Sequence, residues 1–290
     1  MTPEPEKTAI RKNRWPIGLI ALYLFTAASV AGFAIFGLHP ERLTGLNPSA
    51  LQFYTMSFRF FAVGQVALAG LVMIFFLLHR VRFSWVKAFL ALYAISLTSE
   101  LLGTTFGIPF GAYAYSAVLE PMWLDRVPVG IPLSWFYMAV PSYAIATAML
   151  RGQSAVRRIG LASFVLLAWD LALDPAMSSA TRYWEWGDTG PYYGMPMLNL
   201  FGWYLTGIVL MGALAALESD KWIDRLPVSW LAGFYGANLL LAVGMCVAAG
   251  LWIAVMFTVA ALAVALAAAS ALSNRRLEVP SHDTLLHLSR

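Results

Sequence analysis

Leu226–Asn274, LPVSWLAGFYGANLLLAVGMCVAAGLWIAVMFTVAALAVALAAASALSN, runs for 49 residues without one Asp, Glu, Lys or Arg. A helix that crosses a bilayer needs ~20 apolar residues. The stretch is therefore too long for one crossing and suits two, with a tight turn near Ala249–Gly250. The rest of the chain agrees. Of its 290 residues, 60% are hydrophobic and only 12% charged, and the mean hydropathy is +0.70. A soluble domain carries about 25% charged residues, so this chain cannot coat a water-facing surface. That excludes a water-soluble globular enzyme and predicts an integral membrane protein. Eighteen Phe, 11 Trp and 12 Tyr make it rich in rings. A single cysteine, Cys246, excludes a disulfide framework and reads as a small buried hydrophobe. The cations are scattered rather than gathered in a stripe, which argues against a nucleic-acid partner.

Working toward the N-terminus, further spans fall at about 200–217, 159–176, 131–150, 86–106 and 58–79, with a first at Ile17–Leu38. The first follows Lys7, Arg11, Lys12 and Arg14 but is longer than the ~7–15-residue core of a signal peptide, and no small-residue cleavage site follows it. It reads as a retained helix. Eight spans with both ends in the cytoplasm put 15 of the 19 cations inside. Arg42, Arg59, Arg126 and Arg182 alone lie outside, and that asymmetry supports the even count. The expectation is an all-α, multi-pass protein of the cell (inner) membrane. It comprises a cytoplasmic segment 1–16, a single helical domain 17–273 and a cytoplasmic tail 274–290. Met1–Glu6 and Glu278–Arg290 are polar ends that look dispensable. His282 and His287 in the tail are a weak candidate for a metal site. No internal repeat is visible.

Two outer connections are unlike ordinary loops. One runs Phe106-Gly-Ile-Pro-Phe-Gly-Ala-Tyr-Ala-Tyr115 and continues to Val127-Pro-Val-Gly-Ile-Pro-Leu-Ser-Trp135. The other runs from Trp169-Asp-Leu-Ala-Leu-Asp-Pro-Ala-Met177 through Tyr183-Trp-Glu-Trp-Gly187 to Asn199-Leu-Phe-Gly-Trp203. Eight of the 22 residues from 183 to 204 are aromatic. An interfacial belt needs one or two rings per helix end, so these connections are expected to fold back, buried in protein. Gly103, Gly107 and Gly111 suit either close helix contact or, with Pro109, a loop.

Three carboxylates, Glu100, Asp170 and Asp174, lie inside apolar spans, where an ionisable residue is a functional candidate because it costs ~2.5–3.5 kcal/mol to insert. Counted from the nearest cytoplasmic cation at 1.5 Å per residue, they lie ~20, ~18 and ~24 Å in, near one level in the outer half. Asp170 and Asp174, four apart, share a helix face. Pro175 disfavours helix at Asp174, which would place it at a helix C-terminus. Burial and a helix C-terminus both oppose negative charge, the setting a proton-donating carboxyl requires. The structural alternative is that these acids only cap or pair with Arg126 or Arg182. No four-ligand His/Cys set, nucleotide-binding glycine loop or Ser-His-Asp arrangement is present, and His39 and His79 lie outside the two rich segments. Carboxylic acids lined by aromatic faces suit acid-initiated carbocation chemistry on an alkene. A membrane transporter, or a lipid-binding protein that uses the acids as a proton relay, is the rival class. The missing repeat and the one-sided acids weigh against the transporter.

Six motifs in order carry a resemblance: Glu100-Leu-Leu-Gly103, Gly107–Tyr115, Val127–Trp135, Trp169–Met177, Tyr183-Trp-Glu-Trp186 and Tyr192-Tyr-Gly-Met-Pro-Met-Leu-Asn199. Over residues 85–220 the chain resembles the membrane carotenoid 1,2-hydratases of the CruF type. The resemblance implies addition of water, without cofactor or metal, to the terminal double bond of an acyclic ψ-end carotenoid. The substrate implied is γ-carotene- or lycopene-like, or a C50 bacterioruberin precursor. The basic composition weighs against an extreme halophile and so against the C50 option. Membrane lipid surrounds such an enzyme, and a carotenoid glycosyltransferase or desaturase would act downstream. Asp174 is the first candidate for proton donor, with Asp170 and Glu100 beside it. Phe110, Tyr113, Tyr115, Trp135, Trp184, Trp186, Tyr192, Tyr193 and Trp203 are candidates to line the substrate, and Asn199 to hold the water.

Overall fold

The structure is a computed structural model and describes residues 15–277. The polar ends Met1–Glu6 and Glu278–Arg290, with His282 and His287, lie outside the described residues. Within them the architecture is a bundle of eight helices of 18 residues or more: α1 (Trp15–Gly32), α2 (Pro48–Val81), α3 (Val86–Phe106), α4 (Gly130–Met149), α5 (Ala155–Asp174), α6 (Met197–Ala216), α8 (Val228–Ala248) and α9 (Trp252–Leu277). A one-turn helix, α7 (Asp220–Ile223), joins α6 to α8. Gly250, at φ 72°, makes the tight turn between α8 and α9, where the uncharged stretch had to fold back.

Seven of the eight long helices are apolar enough to cross a membrane. The exception is α4, which fills the place of the expected fourth span. It is long enough at 20 residues, but Pro132, Ser134, Trp135, Tyr137, Pro141, Ser142, Tyr143 and Thr147 dilute its apolar content. It is surrounded by protein instead: 13 of its residues are buried, and α2, α3, α5 and α8 pack around it.

Two local readings are corrected. The second span begins at Pro48, ten residues before the expected 58, because Asn47 Oδ1 accepts the Ala50 N–H (2.8 Å) and Pro48 supplies a first-turn proline. At 34 residues, α2 is ~51 Å long and outreaches a ~30 Å hydrocarbon core. Asp174 is the last residue of α5 but not the end of the helical path. The chain stays helical at Asp174 (φ −62°, ψ −50°) and continues as a π-helix over Pro175–Ala180. The wider turn tolerates the proline's missing N–H, so Asp174 sits inside a continuous helical path and owes its setting to burial, not to a helix terminus.

The outer connections do fold back, onto each other. Strand β1 (Tyr113–Tyr115) pairs antiparallel with β4 (Trp184–Trp186), Tyr113 opposite Trp186 and Tyr115 opposite Trp184. A smaller pair, β2 (Met122–Trp123) with β3 (Val127–Pro128), shapes the approach to α4. Of the two roles open to the glycine run, the loop role holds at Gly107. It caps α3 in the left-handed region (φ 73°), its N–H donating to Gly103 O at 2.9 Å. Cys246 is buried, its thiol donating to Ala172 O.

Candidate active site

Alternation along a strand places every second side chain on one face, so the β1–β4 ribbon turns Tyr113, Tyr115, Trp184 and Trp186 the same way. That face lies over the outer ends of α3 and α5. Tyr113 and Tyr115 both donate to Glu100 Oε2, the latter at 2.8 Å, and Trp135 of α4 donates its indole N–H to Glu100 Oε1 at 2.8 Å. Trp184 donates to Asp174 Oδ1 at 2.8 Å, and Asn199, in the first turn of α6, donates to Asp174 Oδ2 at 3.0 Å. Glu100 and Asp174 are buried. Among the described residues neither meets a cation. Arg126 donates instead to Thr104 O, and no ion pair reaches the three acids. Pairing with Arg126 or Arg182 is therefore not their role in this structure. Burial, then the nearby Glu100, holds the Tyr113 and Tyr115 hydroxyls well above the ordinary phenol range, so both keep their protons for Glu100.

Glu100 and Asp174 face one chamber of about 40 Å³, walled also by Phe110, Tyr113, Tyr115, Trp135, Trp184, Trp186, Asn199 and Trp203. Its rings are closely set: Trp135 and Trp203 stack with centroids 4.0 Å apart, and Tyr113 and Trp186 lie at 5.3 Å. Four residues, Ile131, Ser134, Leu173 and Trp184, also border a second cavity of about 450 Å³. That cavity runs between α1, α2, α4, α5 and α8 past Phe33, Phe58, Phe61 and Gln65, toward the exposed Phe36, Leu46 and Phe53. Its lining is almost entirely apolar. A small, carboxylate-bearing chamber thus shares part of its wall with a large apolar one.

The structure divides the candidates. Glu100, Asp174, Asn199, Phe110, Tyr113, Tyr115, Trp135, Trp184, Trp186 and Trp203 come together around the chamber. Asp170 lies one turn inward on α5, fully buried, outside the chamber wall and without a hydrogen-bond partner among the described residues. Tyr192 and Tyr193 are also outside. Tyr192 donates to Leu171 O at 2.6 Å and stacks on Phe257, and Tyr193 accepts from the Ile253 N–H. They fasten the second connection to α5 and α9. Asn199 spends its amide on Asp174 and Met195 Sδ, which makes it a holder of the acid rather than of a free water. Sequence reasoning missed Ile131, Ser134 and Leu173 at the junction. Within a span they read as ordinary apolar or helix-satisfied residues, and no local signal sets them apart.

Residues 61–265 match the family described as carotenoid biosynthesis protein. A bisanhydrobacterioruberin hydratase from Haloarcula japonica is 35% identical over 189 residues, 62% of this chain and 59% of that relative, so the chain covers less than two thirds of the relative's length. No solved structure matches.

Proposed function

The chain belongs to the carotenoid biosynthesis protein family, and from that premise we propose that it hydrates the terminal double bond of an acyclic carotenoid end. The observation that carries this reading is the pair Glu100 and Asp174 on one chamber that shares four wall residues with a large apolar cavity. An apolar chain would lie in the cavity with its end group between the two acids. The carboxyl of Asp174 gives its proton to the less substituted alkene carbon, leaving a tertiary cation. The faces of Trp184, Trp186 and Trp203 stabilise that cation. A water oxygen bonds to the cationic carbon, and the proton that water sheds goes to Glu100, oriented by Tyr113, Tyr115 and Trp135. Return of that proton to Asp174 closes the cycle, so one H and one OH are added and nothing is consumed but water.

The similar protein's name supports the reaction class and brings a bacterioruberin precursor into view. This chain's net charge of +4 favours a γ-carotene- or lycopene-like substrate in a cell (inner) membrane. A tertiary alcohol so formed is the substrate a glycosyltransferase or desaturase would use. The test is expression in a lycopene-producing host. A more polar pigment heavier by one water supports the hydratase. Unchanged pigment would favour the rival, a binding or transport protein.

A further inference from the structure

A repeating isoprenoid chain offers more than one alkene that can accept a proton, so an enzyme that hydrates only the terminal one must fix how deep the chain enters. We infer that Phe110 is the stop that sets this register, an inference that rests on the hydratase reading above. Phe110 lines the chamber but not the large cavity, and it is buried and lies against Trp135 with ring centroids 6.2 Å apart. Phe110 cannot retreat. Gly103 and Gly202 press on it from two helices so closely that an added Cβ would lie 2.9 Å and 2.8 Å from its ring. Trp135 behind it is held by its bond to Glu100 and its stack on Trp203.

The chamber's size agrees with a short stop. A water needs ~10–15 Å³ of such space, and about 40 Å³ therefore holds roughly three water-sized groups. That is room for the two methyl groups at the chain's tip and the attacking water, and too little for a further isoprene unit. The next double bond then stays on the cavity side of Ile131 and Leu173, out of reach of both carboxylates. Regioselectivity is in this account a matter of depth, not of alkene reactivity.

Two experiments test it in pigment-producing membranes. Phe110→Leu and Phe110→Ala deepen the chamber. The expected result is a second alcohol of the same mass, with H and OH added across the double bond one isoprene unit inward. The ratio of inner to terminal alcohol, read by fragmentation and NMR, should rise about tenfold or more. A variant that accumulates and still makes only the terminal alcohol overturns the stop. The second experiment needs no substitution. The unaltered protein is given a carotenoid whose terminal isoprene units are saturated, leaving only inner double bonds. The expected result is no hydration, and hydration of an inner bond overturns the proposal. A protein that fails to hydrate the ordinary acyclic substrate would instead refute the hydratase reading itself, a result separate from either of these.

Discussion

Two polar clusters, one half-buried and one buried, lie at opposite ends of the antiparallel pair α4 and α5, and they meet their acids with different partners. At the inner end, Arg158 donates to Asp220 at 3.1 Å, with the Tyr143 hydroxyl nearby. The acid meets a cation directly, across an ion pair. At the outer end, Glu100 and Asp174 meet only phenols, indoles and an amide. Neutral donors favour the charged carboxylate less strongly than a full cation does, which leaves more room for the proton to go and return. The contrast separates a pair that fastens helices from a pair that can do proton chemistry.

The sharpest way to break the contrast is to remove one outer acid. Asp174→Asn and Glu100→Gln keep shape and should each lower hydration in membranes ~10²–10⁴-fold with protein level unchanged. If both variants and Asp170→Asn retain full activity, the carboxylate mechanism is wrong. Next comes the frame. Gly202→Ala would set a Cβ 2.6 Å from Pro109 O. Such overpacking costs ~1–3 kcal/mol, to be read as a lower unfolding temperature in detergent together with reduced hydration. Asp170→Asn should change hydration by less than about tenfold, ~1.4 kcal/mol, since Asp170 lies outside the chamber. A loss as deep as that of Asp174→Asn would move the proton donor inward. Smallest is the inner pair. A double-mutant cycle on Arg158→Ala and Asp220→Ala should give a coupling below ~1 kcal/mol that weakens with salt, because both side chains retain exposure (19% and 34%). Hydration should be untouched, and a large loss there would erase the distinction between the two ends.

The sequence was most legible where one physical rule dominates. Uncharged length revealed the helices, since the bilayer penalises charge whatever the neighbours, and the tight turn at Gly250 followed. The even count of crossings and the inner placement of both ends rest on the cation pattern. A periplasm-active reporter fused to the C-terminus should stay silent, and a bright signal would break that reading. The acids were legible for the same reason, as costly groups in the wrong solvent. Their arrangement was not. Tyr113 and Trp186 meet across 73 positions, and three-residue strands leave no periodic trace beyond the paired Tyr-x-Tyr and Trp-x-Trp. Pro175 marked a helix end by local sterics, but the π-helical turn gave the chain a way past it. Ile131 and Leu173 are apolar residues in apolar helices, and only the shape of the space between them distinguishes them.

The make-up of α4 also bears on how the protein is made. A helix with two prolines and several hydroxyls gains little by partitioning alone into lipid, so its place depends on partners that surround it on the finished molecule. Two of them, α5 and α8, are synthesised after it. Membrane integration of α4 therefore waits on sequence that has not yet left the ribosome, and the ribbon over the chamber can close only afterwards, when Trp184–Trp186 arrives. Until then Glu100 lacks Trp135 and both tyrosines. The chamber around the two acids is complete only once α6 has brought Asn199 and Trp203, and a chain arrested before α5 would carry Glu100 without Asp170 or Asp174.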